Sequence, residues 1–324
     1  MSAVAADPPD EAVAGHYGDP YREQRLLADG VGAVDLSHRP VLRVTGPDRL
    51  SWLHSLLSQH VSDLQPGESR EALVLSPNGH VEHHLHLVET GSEVLAHVEP
   101  GTADELVSFL DRMRFLLRVE VSLAPELAVV WQPLASETPG AVAATETGFG
   151  RYLLVPREQV PALLEQPAGV MAHEALRVAA RRPRLGLDTD HRTLPHEVGW
   201  LSTAVHLDKG CYRGQETVAR VHNLGRPPRR LVLLHLDGSD SVLPAVGSAV
   251  ELGGREVGRL GTAVRHFELG PIALALVKRQ VPDDATLVLG DVAASIDPSG
   301  EPEEAPSAAR AAAQARAGLL RLPR

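Results

Sequence analysis

The chain has 324 residues, 43% hydrophobic and 23% charged, enough to bury a core and to make about two domains. Its 31 Lys and Arg against 42 Asp and Glu leave a formal charge of −11, which argues against a broad nucleic-acid or anionic-membrane surface. A single cysteine excludes an internal disulfide and any four-cysteine metal site made by this chain alone, and it fits a reducing cytoplasm.

Residues 1–24, rich in Ala, Asp, Pro and Gly, read as a flexible lead-in without the apolar run of a secretory signal. No run of about 18 apolar residues follows that could span a membrane. Residues 41–44 read as a strand stopped by Gly46-Pro47, and Asp48 as the cap of a helix through Leu57. Residues 72–75 and 81–88 flank Ser76-Pro77-Asn78-Gly79, a hairpin with Asn-Gly at its tip. Residues 102–115 have helical spacing, 118–123 alternate like a strand, and 127–132 and 151–155 resemble further strands. Residues 160–164 and 173–182 read as helices, so strands followed by helices recur and predict two α+β halves over 25–228. Residues 181–201 read as loop and 225–228 as a hinge. Short runs at 231–236, 249–252, 256–264, 272–276 and 286–289, separated by glycine turns, then predict a small β-barrel or sandwich over 229–297. Residues 298–324 read as a tail.

Two segments carry chemistry. Lys209-Gly210-Cys211-Tyr212-Arg213-Gly214-Gln215-Glu216 holds the one thiol. A thiol reacts as thiolate, a form that a cation such as Lys209 favours, and Gly210 and Gly214 permit a sharp bend or close approach. The second segment contains His80, His83, His84 and His86. Strand alternation puts His80, Glu82, His84 and His86 on one face and Val81, His83, Leu85 and Leu87 on the other. Three histidines and a carboxylate on one face could bind zinc or iron if a further element closed the site. Side chains along one strand point in parallel, however, so this face reads as solvated and no metal site is assigned. Arg226, Arg229 and Arg230 read as a solvated linker.

Asp208-Lys209-Gly210-Cys211-Tyr212-Arg213-Gly214-Gln215-Glu216-Thr217-Val218-Ala219-Arg220 resembles the KGCYxGQE signature of the YgfZ-type folate-binding proteins, relatives of the glycine-cleavage aminomethyltransferase, or T-protein. Val34-Asp35-Leu36-Ser37-His38, Glu174-Ala175-Leu176-Arg177-Val178, and Gly258-Arg259-Leu260-Gly261-Thr262 with Ala273-Leu274-Ala275-Leu276-Val277 resemble other parts of that superfamily. The resemblance implies an α+β, three-subdomain T-protein-like fold around a central hole that holds tetrahydrofolate or a derivative, with a C-terminal β-barrel. It also implies a cytoplasmic accessory role in iron–sulfur cluster assembly or repair, with an iron–sulfur carrier or client as partner. Cys211 is then the functional thiol, as nucleophile, group carrier or one ligand of a shared cluster. Lys209, Gly210, Tyr212, Gly214, Gln215, Glu216 and Arg220 are expected around the folate. Gln215 and Glu216 match a pterin's donors and acceptors, while Lys209, Arg220 and Arg177 suit its glutamate tail.

The chain departs from the T-protein in two places. Where that protein has a glycine turn followed by paired aspartates, one of them catalytic, Gly79-His80-Val81-Glu82-His83-His84-Leu85 has histidines at both. His83, on the apolar face, is expected either to point toward the folate cavity as a replacement proton carrier or to sit as a satisfied core histidine. Thr147-Gly148-Phe149-Gly150-Arg151 lacks the pterin-binding glutamate of the T-protein's Gly-Tyr-Thr-Gly-Glu run. A folate-dependent one-carbon transferase is the alternative function, and it would rest on His83.

Overall fold

The computed structural model describes residues 3–135, 140–238 and 242–298. The expected tail from residue 299 onward lies outside the described residues. Apolar runs in the first half form a five-stranded antiparallel sheet in the order Ser69–Leu75, Val81–Glu89, Glu93–His97, Val41–Thr45, Glu120–Leu123. Helices Arg49–Leu56 and Ala103–Met113 cover one face, where Trp52, Leu53, Leu106 and Leu110 meet Ala72, Val74, Leu85 and Leu87. The opposite face is covered as well: Val41, Val88 and Leu95 share a core with Val129, Trp131, Tyr152 and Leu154 of a second sheet. Every residue of Val81–Glu89 except Glu82 is therefore buried.

The second sheet runs Ala143–Glu146, Arg151–Pro156, Leu127–Gln132, Ala33–Asp35, Pro167–Ala168, with only the last pair parallel. Helices Pro20–Ala28 and Val170–Ala179 pack beside it through Leu27, Val170 and Ala172. The third body is a closed six-stranded barrel, Arg229–Leu236, Gly270–Lys278, Arg255–His266, Ala249–Leu252, Thr286–Leu289, Val292–Ile296. Five of these strands match the expected runs. The sixth, Val292–Ile296, carries only two bulky apolar residues and gave no clear signal. Among the described residues, no helix is long and apolar enough to cross a membrane.

Three expectations need correction. Residues 3–24 are not a flexible lead-in. Val4–Ala5 pairs with Ala14–His16, and Asp19 caps Pro20–Ala28 by accepting from the Tyr21 and Arg22 amides. Arg229 and Arg230 are not a solvated linker, because they open the first barrel strand and pair with Asp190, Glu197 and Asp283. Asp48 does not cap its helix by a side-chain bond; its carboxylate instead takes the Arg118 guanidinium and amide.

The Thr147–Arg151 turn shows what its second glycine is for. A Cβ on Gly150 would enter the Trp131 indole, which also stacks on Phe149 with ring centroids 4.9 Å apart, whereas a Cβ on Gly148 would meet nothing. Gly150→Ala is expected to cost about 2 kcal/mol, in the range of core overpacking, and Gly148→Ala to be neutral. Urea midpoints of the two variants check this; equal midpoints would refute the packing account.

Candidate functional site

The three bodies meet around a cluster of buried charge, and helix Val170–Ala179 sets it up. The helix ends in a Schellman turn: Arg181 sits at φ +54°, its amide bonds to the Val178 carbonyl, and the Arg182 amide reaches the Arg177 carbonyl. An arginine in this left-handed position costs about 1 kcal/mol. The turn folds Arg182, Pro183 and Arg184 back beside Arg177, whose guanidinium also donates to the Arg182 carbonyl at 2.8 Å.

Arg177 pairs with Glu174 at 2.6 Å and Asp188 at 2.8 Å and donates to the Thr262 hydroxyl, which ties the helix to the barrel. Arg184 pairs with Asp10 at 2.8 Å, Glu99 at 2.7 Å and Glu174 at 3.2 Å, linking the N-terminal segment, the first sheet and the helix. Arg39 pairs with Glu99, and Arg182 with Glu71. Burial pushes the Glu99 carboxyl up, but Arg184 and Arg39 overcome it and hold the group down at about 2. Glu174 is likewise pushed up by burial and held well below the usual range by Arg177 and Arg184. These carboxylates are ionised because guanidiniums surround them, not because water does.

A small cavity of about 20 Å³ lies inside this cluster, lined by His84 and His86 from the first sheet, Tyr152 from the second, the four arginines, Glu99, Pro183 and Trp200. That volume holds about one water. Of the expected site residues, only Arg177 lines it.

The histidines lie where alternation did not put them. The hairpin ladder pairs Val74 with His83 and then Leu75 with Val81, so Glu82 is an extra, exposed residue that moves Val81 to the other face. His83, opposite Val74, lies on the helix-covered face, and Glu105 of Ala103–Met113 is the charge acting on it. Burial lowers its pKa. His83 therefore does not face the cavity. His84 and His86, expected in solvent, are 7% and 8% exposed and face it. A sheet covered on both sides has no solvated face, which single-strand alternation cannot reveal. Glu71, paired with His86 across the ladder, accepts a bond from His84 at 3.2 Å and was missed because nothing in its local sequence marks it.

The cysteine segment is a separate feature. Lys209 is 6% exposed, and its ammonium donates to the carbonyls of His54, Leu57 and Gln59, closing the end of helix Arg49–Leu56. Burial pulls its pKa down to about 8. Tyr212 is buried with Leu73, Leu75, Val81 and Trp200, its hydroxyl pushed up to about 12 by burial, and the Lys209 ammonium lies 5.1 Å from its ring. Gly214 sits at φ +83°, where a Cβ would come 2.6 Å from the Ser76 carbonyl, so the segment lies directly on the hairpin turn. The Gln215 amide closes the loop by donating to the Lys209 carbonyl at 3.2 Å. Glu216 lies in the first turn of helix Gln215–Leu224, and both it and Arg220 are exposed. Gly210 has open space around it and no positive φ, so the backbone there does not demand glycine. Cys211 is free and exposed. Trp200 connects the two features: it shares a core with Tyr212 and packs on the His84 ring at 4.5 Å.

This arrangement matches a known architecture. A crystal structure of the glycine cleavage system aminomethyltransferase T from Bartonella henselae superposes with a TM-score of 0.76, covering 90% of this chain and 92% of that one at 18% identity. The fold is that of the aminomethyltransferase. Residues 229–302 match the CAF17 C-terminal beta-barrel domain. Sequence relatives include an aminomethyltransferase of Thermotoga sp. strain RQ2, 25% identical over 90% of this chain and 88% of that protein. A chloroplastic Arabidopsis thaliana protein, named provisionally as a transferase, is 25% identical over 87% of this chain and 72% of its own length.

Two outcomes follow from the site geometry. Lys209→Met strands three carbonyls at a buried helix end and is expected to cost about 2 kcal/mol, with faster limited proteolysis around residue 211. Unchanged urea stability and proteolysis would contradict the bracing role. The second concerns Glu99, whose folded pKa of about 2 lies below the ordinary 4.5. Its contribution is therefore full above pH 4.5 and lost as pH falls toward 2, on the order of 3 kcal/mol. Denaturant stability of the wild type should fall more steeply over that window than that of Glu99→Gln; parallel slopes would contradict it.

Proposed function

We propose that this is a cytoplasmic, folate-binding accessory protein of iron–sulfur cluster assembly or repair that presents Cys211 to a partner protein. The observation that carries this reading is the setting of the thiol. Cys211 is exposed on a loop fixed by Lys209, Gly214 and Gln215, and it is not among the residues lining the central cavity. A thiol so placed suits attack on, or shared coordination with, a group brought by another protein. It does not suit chemistry on a ligand enclosed by the cavity. The likeness of the cysteine segment to the YgfZ-type signature supports the iron–sulfur assignment.

Folate binding rests on the aminomethyltransferase fold, the relatives of that name and the cavity where the three bodies meet. The residues as arranged do not admit a folate ring: about 20 Å³ compares with the roughly 300 Å³ or more of ordinary ligand pockets. Binding requires the lining to open, and Arg182 is the natural gate. Its side chain is 26% exposed, whereas those of Arg39, Arg177 and Arg184 are 2–3% exposed. A one-carbon transferase is the second reading, favoured by the buried Glu71–His84 pair, which can hold a proton beside the cavity.

The test is the activity of iron–sulfur enzymes in cells lacking the protein, complemented by wild type or Cys211→Ala. Low activity restored by wild type alone is the expected result. Normal activity without the protein would overturn the proposal, and full rescue by Cys211→Ala would remove the thiol from it. Transfer of a methylene unit from an aminomethyl-carrying partner to tetrahydrofolate would instead establish the transferase.

A further inference from the structure

The first sheet presents a compact set of donors that neither the fold nor the cysteine segment explains. His84 and His86 are two apart on Val81–Glu89 and so share a face, and Glu71 lies directly opposite His86 on Ser69–Leu75. One ligand-type atom from each of the three lies within 4.8 Å of the others, and all three residues are buried. The cross-strand carboxylate supplies the convergence that one strand lacks. Glu71 Oε2 and His84 Nε2 are 3.2 Å apart, close to the roughly 3.3 Å between two ligands of a tetrahedral ion with bonds of about 2 Å.

We propose that Glu71, His84 and His86 bind a divalent first-row metal ion such as zinc or ferrous iron, with a water from the adjoining cavity in an open coordination position.

Three further features bear on this site. His86 has a buried Nδ1 without a hydrogen-bond partner, an arrangement that costs free energy in a protein interior unless something occupies the site. Arg182 binds the other oxygen of Glu71, the outer-shell contact that orients a ligating carboxylate. The neighbouring guanidiniums do not forbid a cation. Arg39, Arg177, Arg182 and Arg184 face five carboxylates, those of Asp10, Glu71, Glu99, Glu174 and Asp188, so the cluster carries one negative charge in excess. Two imidazoles and one carboxylate with open positions form the donor set of catalytic zinc sites and of non-haem ferrous sites.

The test uses full-length protein carrying Cys211→Ala, which removes the competing exposed thiol. It is titrated with Zn²⁺ against a chromophoric chelator and assayed for bound metal after desalting. The expected result is one zinc per chain, weakened at least about 100-fold by His84→Asn or His86→Asn, a larger loss than removing an outer-shell partner causes. His83→Asn, on the opposite face, should leave binding unchanged. A folded parent that retains no zinc would overturn the proposal. So would folded His84 and His86 variants that bind as well as the parent, which would place the metal elsewhere, such as the surface rings of His54, His60 and His206. If those variants fail to fold, X-ray absorption of the Co²⁺-loaded parent decides. Two imidazole ligands support the site, and no imidazole coordination overturns it.

Discussion

Arg184 is the constraint on which the rest of the structure depends. Its guanidinium joins Asp10 of the N-terminal segment, Glu99 after the first sheet's strand Glu93–His97, and Glu174 of helix Val170–Ala179. Arg177, one helical turn from Glu174, continues the chain of charge to Asp188 and the barrel's Thr262. An ion-pair network of this kind adds little to stability relative to a well-packed apolar core. Losing one partner, however, leaves an uncompensated buried charge and costs about 3–5 kcal/mol. The network therefore acts chiefly as a registration device. It fixes how the two sheets and the barrel meet, and it keeps polar atoms around a space at their junction.

That junction explains why ordinary strand rules mislead at the histidines. A strand with one solvated face sorts polar from apolar residues. Val81–Glu89 has helices on one side and the charged junction on the other, so both its histidine sets are interior. His83 occupies the helical side, across the ladder from Val74 and near Glu105, while His84 and His86 occupy the polar side with Glu71, Tyr152 and Trp200. The bulge at Glu82 adds a second change by moving Val81 across the sheet.

Much of the fold was legible because periodicity and turn residues act locally. The Asn-Gly hairpin, the helix Ala103–Met113 and five barrel strands follow from such signals. The weak strand Val292–Ile296, the ordered N-terminal segment and the roles of Asp10 and Glu71 were not legible. The roles of Asp10 and Glu71 depend on residues outside their own local segments, Asp10 on Arg184 and Glu71 on Arg182 and His84. The cysteine segment was visible as a motif, but its physical logic was only half visible. Lys209 braces a helix end, Gly214 seats the loop on the hairpin, and Gly210 has no steric reason to be glycine.

The account therefore separates an outward-facing thiol from an inward-facing polar junction, with Trp200 packed between them. Because the chain has one cysteine, alkylation tests this separation directly. The native protein would be labelled with a bulky maleimide, with and without saturating tetrahydrofolate, and the modification rate read by mass spectrometry. The account predicts rapid incorporation of one label at a rate that folate does not change. Protection of Cys211 by folate would place the thiol in the ligand site and contradict it.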